Sequence, residues 1–148
     1  MYVLKEFRLV VAVAALVGSG VVQAGPQVTV VFKNNGSAEA VYSPVDSNEA
    51  LTRTFAVKVP NDSVSAGSVD TYVIKGRLSP YASHAFVRYS SGNKVCKFKS
   101  TYVMTATRSV KVPKWIKEAT ASGGARCDAR INSVNNATHE WIVEFVMS

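Results

Sequence analysis

The chain has 148 residues, with 17 Lys and Arg against 10 Asp and Glu, two histidines and two cysteines, for a formal net charge of +7. That length suits one ordinary domain with enough residues to bury a core, and so few thiols and imidazoles, none closely spaced, argue against a metal centre. The basic excess bears on partners rather than on fold.

The chain opens "MYVLKEFRLVVAVAALVGSGVVQA". Lys5 and Arg8 precede an apolar run from Leu9 to Val22, and Val22-Gln23-Ala24 offers small residues where a signal peptidase cuts. Residues 1–24 are expected to be a cleaved signal peptide, leaving residues 25–148 as a secreted or periplasmic domain. The run is about 14 residues, short of the roughly 20 that a membrane-spanning helix needs. No other long apolar stretch follows, so the mature chain is expected to hold no transmembrane segment.

Period-two alternation then recurs, the mark of strands buried on one face. Val28, Val30 and Phe32 share a face before the turn Asn34 to Ser37. Phe55, Val57 and Val59 form a second set, and Tyr72 with Ile74 a third. "HAFVRYSSGNKVCKFK" reads as a hairpin, and an even loop at Ser91-Gly92 or Ser90 to Asn93 pairs Tyr89 with Lys94, Val87 with Cys96 and Ala85 with Phe98. Its other face would set Phe86 opposite Lys97, His84 opposite Lys99 and Arg88 opposite Val95. "PKWIKEAT", Pro113 to Thr120, is the one helical turn expected, with proline at its start. Ala125, Cys127, Ala129 and Ile131 then point inward, and Trp141, Val143, Phe145 and Met147 close the core. Turn residues separate these runs, and eight or nine short strands suit an all-β fold, a single antiparallel sandwich or flattened barrel.

Cys96 and Cys127 both fall on inward positions of an exported chain, where an oxidising compartment favours pairing. Between Thr71 and Lys117 there are ten cations and no Asp or Glu. A candidate ligand-binding surface therefore consists of Arg88, Lys97 and Lys99 first, then His84 and Phe86, with Lys111, Lys114 and Trp115 in "KVPKWIK", a composition that suits a headgroup interface.

The expected function is non-enzymatic binding of an anionic membrane surface, lipopolysaccharide, an acidic glycan or an acidic protein, with no cofactor and no metal. Nucleic acid is the weakest candidate, since no nucleic-acid motif is present. No G-x-S-x-G elbow accompanies the histidines, which leaves catalysis without a motif. Two other readings are a periplasmic inhibitor or immunity-type protein and a structural subunit that lends or accepts a strand.

The segment "AGSVDTYVIKGRLSPYASHAFVRYSSG", Ala66 to Gly92, resembles the middle of aegerolysins in a Gly-Ser turn, a Gly-Arg pair and a small-residue loop. That resemblance implies a small β-sandwich able to bind membrane lipids. It spans under a quarter of the mature chain, and the basic charge and export signal depart from that family's usual acidic, signal-free pattern, so no membership is claimed.

Overall fold

A computed structural model describes residues 23–148; the expected signal peptide, apart from its last two positions, lies outside the described residues. The elements, in chain order, are β1 (Gln27–Asn34), β2 (Ala40–Tyr42), α1 (Ser47–Thr54), β3 (Ala56–Lys58), β4 (Ser63–Val64), β5 (Val69–Lys75), β6 (Ala82–Ser91), β7 (Lys94–Thr107), β8 (Val110–Ser122), β9 (Cys127–Val134) and β10 (Trp141–Met147).

These strands make two five-stranded sheets, ordered β3-β5-β1-β10-β9 and β4-β2-β6-β7-β8. The single antiparallel sandwich of eight or nine short strands is thereby corrected. The described residues form ten strands, β1 runs parallel to β10 at the centre of the first sheet, and β7 and β8 are long. A parallel pair needs a long crossover, and here nearly the whole described chain lies between its two members.

Alternation places the core as expected. Val28, Val30 and Phe32 of β1, Tyr72 and Ile74 of β5, and Trp141, Val143, Phe145 and Met147 of β10 are all buried against Val87, Tyr89, Cys96 and Phe98 of the second sheet. Phe32 stacks on Tyr89 across the two sheets, with centroids 3.5 Å apart. Buried polar tips pair across the same gap, Tyr89 with Tyr72 through their hydroxyls at 3.1 Å, and Trp141 Nε1 donating to Ser100 Oγ at 2.8 Å. Burial raises the pKa of both tyrosines, so they stay neutral hydrogen-bonding groups.

The disulfide joins Cys96 of β7 to Cys127 of β9, with Cα atoms 5.6 Å apart. It is the covalent tie between the two sheets, as their inward positions implied.

Four local readings are corrected. The β6–β7 hairpin turns at Gly92-Asn93, with Ser91 opposite Lys94 and Gly92 at φ +58, so glycine supplies the positive φ of a two-residue hairpin loop. Pairing is thus Tyr89 with Cys96, Val87 with Phe98, Phe86 with Lys99, Arg88 with Lys97 and His84 with Thr101. The slip is two residues, which exchanges partners and keeps every side chain on its expected face.

Residues Pro113 to Thr120 are part of β8, not a helical turn; Pro113 is tolerated there because β8 is an edge strand. The helix lies instead at Ser47–Thr54, where Asp46 accepts from the Glu49 backbone N–H and Glu49 reaches back to the Asp46 N–H, a capping box. That helix shortens the expected strand around Phe55 to Ala56–Lys58, and Phe55 and Ala56 pack against the core while Val57 and Val59 are exposed.

Removing the bridge with Cys96→Ala/Cys127→Ala should lower stability by about 3 to 4 kcal/mol, the chain-entropy value for a loop of this length. Urea denaturation of the two forms measures it; an unchanged midpoint would mean that the core alone sets the spacing of the sheets.

Candidate functional site

Register places Arg88 of β6 directly opposite Lys97 of β7, and like charges facing across a ladder repel. The acids that relieve this come from α1. Arg88 donates through Nε and an Nη to Glu49 Oε1 at 3.1 and 3.0 Å. Lys97 Nζ lies 3.0 Å from Asp46 and 3.8 Å from Glu49.

The Glu49 side chain has no solvent exposure, so it depends on these partners and on the Val45 and Asp46 N–H groups that it accepts from. Asp46, held by the Glu49 backbone N–H and then by Lys97, has its carboxyl below the usual range. One turn further on, Thr52 Oγ1 accepts from the Phe86 N–H, satisfying the edge of β6 beyond its short pairing with β2. The cations that seemed unbalanced in the hairpin therefore clamp a helix whose buried residues, Glu49 and Thr52, are polar.

Lys99 faces Glu118 of β8, 3.5 Å away. His84 stacks on Phe86 with centroids 4.6 Å apart, and its Nε2 is buried with no hydrogen-bond partner. Desolvation lowers its pKa. The structure thus brings Arg88 and Lys97 together through Glu49 and sets His84 beside Phe86.

Lys111, Lys114 and Trp115 lie apart from that cluster, on β8. Trp115 is half-buried, donates through Nε1 to the His139 carbonyl at 3.2 Å and lies against Tyr102, so its ring belongs to the inner side of the sheet. His139, at φ +63, meets the Tyr102 hydroxyl through Nδ1 at 2.8 Å. The Lys111 ammonium sits 4.5 Å over the Tyr81 ring, and Lys114 is exposed.

Register explains why this region is open. β6 pairs with β7 only as far as Ala82 opposite Val103, while β7 and β8 continue to Thr107 opposite Val110. The extra four rungs amount to about 14 Å of two-stranded ribbon, and every residue from Thr105 to Val112 is exposed. The turn itself, Arg108-Ser109, takes φ of +48 and +68. It lacks the Asn or Gly that would announce such a turn in sequence, and Arg108 is the basic residue that sequence reasoning left out of the site.

Of the ten cations between Thr71 and Lys117, Arg88, Lys97 and Lys99 have carboxylate partners; Lys75, Arg77, Lys94, Arg108, Lys111, Lys114 and Lys117 have none among the described residues. No group of three or more His, Cys, Asp or Glu among the described residues could hold a metal ion, and no described helix is long and apolar enough to cross a membrane. Comparison with protein-family models and with curated proteins gives no match for this chain.

Arg88→Met should cost about 3 kcal/mol or more, because it strands the buried Glu49 carboxylate, whereas Lys99→Met should cost less than about 1 kcal/mol, its pair being exposed. Denaturant unfolding of the two variants compares them; equal losses would mean that Glu49 is held without Arg88.

Because His84 folds best uncharged, stability should be full at about pH 7.5 and fall as pH drops below about 6.5 toward its lowered folded pKa. An NMR titration of His84 with its midpoint at the ordinary value would contradict this.

Proposed function

We propose that this chain is an exported, non-enzymatic binding protein that engages an anionic surface or partner through cations its own fold leaves without a carboxylate partner. One observation carries the reading: Arg108 and Lys111 stand on an exposed ribbon and the exposed Lys114 at its base, with no carboxylate partner among the described residues. Cations not neutralised by a carboxylate draw in anionic ligands and lose that attraction in salt. The fitting partners are membrane headgroups, lipopolysaccharide or an acidic glycan. The disulfide is compatible with an oxidising compartment.

In this reading Arg88 and Lys97 serve the surface indirectly by holding α1, and Lys99 by pairing with Glu118 of β8, with their exposed flanks a secondary contact. His84 and Phe86 lie beside them. Since burial lowers its pKa, His84 would add charge only below the ordinary histidine range.

A second reading, a subunit that accepts a strand, draws support from two of the four sheet edges, β8 and β9, which offer backbone groups for pairing. A tight one-to-one complex with an acidic protein would identify the inhibitor class instead.

Cosedimentation with anionic and neutral vesicles, and retention on an acidic glycan column, at low and high salt test the proposal. At about 1 kcal/mol per cation near an anionic surface, Arg108→Gln/Lys111→Gln/Lys114→Gln should weaken binding roughly 100-fold. Full binding by that variant, or binding indifferent to salt, would overturn the assignment.

A further inference from the structure

The free end of the β7–β8 ribbon is apolar as well as basic. Val110 is 62% exposed and Val112 44%. They face Thr107 and Thr105 across the ladder, so both valines lie on one side. On the other side Lys111 covers Tyr81, itself half exposed, and Leu78 stands out from the same connection between β5 and β6. A two-stranded ribbon is marginal in water without a third strand or a packed face, and this one leaves the body with branched apolar side chains uncovered.

Charge is layered along the same projection. Arg108 occupies the tip, Lys111 lies two rungs below it by the Ala106 pairing, and Lys114 lies three rungs further back by the Val103 pairing. Lysine and arginine stems lie along apolar surface while their heads seek anions. A projecting ribbon with this order suits a soft planar surface, in which apolar groups enter the acyl boundary and cations meet the phosphates.

The turn adds an independent point. Arg108 and Ser109 both hold positive φ, a region costly for residues other than glycine, where Asn-Gly would be relaxed. A cation is kept at the tip at the expense of local stability, as happens where backbone strain accompanies function.

We propose that the tip of this ribbon docks the protein onto an anionic lipid bilayer, Val110 and Val112 entering the acyl boundary while Arg108, Lys111 and Lys114 engage lipid phosphates. The assignment rests on the charge-binding reading above and adds the lipid and the mode of contact.

The test uses Val110→Cys carrying an environment-sensitive fluorophore. Both native cysteines are bridged and no other cysteine is free, so the label has one site. Vesicles of phosphatidylcholine with phosphatidylglycerol are compared with phosphatidylcholine alone. With the anionic vesicles the label should shift to the blue and be quenched by acyl-chain spin labels, while the same label on Ser122→Cys, at the far end of β8, should stay in water.

Val110→Asn should weaken vesicle binding about tenfold, through lost apolar burial, without altering retention on an acidic glycan. Arg108→Asn/Ser109→Gly should be at least as stable as the parent, yet bind about fivefold more weakly for one lost cation, which separates binding from folding.

Vesicle binding with the Val110 label still in water would overturn the insertion and leave the charge-binding reading intact. Retention on the glycan without any vesicle binding would do the same. Binding to neither would remove both.

Discussion

A carboxylate with no solvent exposure sits at the centre of this protein's surface chemistry. Glu49 has left water, and a group of that kind persists only where cations and N–H donors replace its hydration. Arg88 and Lys97 supply the charge and the Val45 and Asp46 backbone supplies the donors. The same carboxylate caps its own helix, so local helix start and long-range docking are one arrangement. Two cations forced opposite each other by the ladder acquire an anion between them, and the helix gains a place against β6.

That clamp has a consequence for the remaining charge. Once Arg88, Lys97 and Lys99 are paired, the cations without a carboxylate partner among the described residues are Lys75 and Arg77 at and after the end of β5, Lys94 at the start of β7, and Arg108, Lys111, Lys114 and Lys117 in the turn and along β8. The body is held independently of them, by the Phe32–Tyr89 stack, the Tyr72–Tyr89 and Trp141–Ser100 hydrogen bonds and the Cys96–Cys127 bridge between the sheets. With the body tied so firmly, the ribbon beyond Val103 can extend past its neighbours, carrying both cations and exposed valines. Structure and binding thus draw on different members of one basic block, and proximity in sequence does not separate them.

Residue by residue, the core was legible. Alternation in β1, β5, β9 and β10 placed Val30, Tyr72, Ala129 and Phe145 inside because a strand buried on one face imposes period two on its sequence. The hairpin loop was legible as even, though not its position, since moving it by one residue slips the register by two and keeps the same faces. Helix α1 escaped because the side chains it buries, Glu49 and Thr52, give no apolar stripe. The extent of β7 and β8 escaped because Arg108-Ser109 carries none of the usual turn residues and Pro113 resembles a helix start.

The sequence alone determined which side chains would be apolar and inward, that two inward cysteines could meet, and that the middle of the chain would be basic. These follow from local periodicity and composition, which do not depend on neighbours distant in the chain. Only the tertiary structure decided which charges remain available, because an ion pair such as Arg88–Glu49 joins residues 39 positions apart. It also decided that β1 and β10 lie side by side in parallel, and that β7 and β8 outrun their sheet. Pairing across long separations is selected by the packing of whole sheets, and no window of neighbouring residues contains that information.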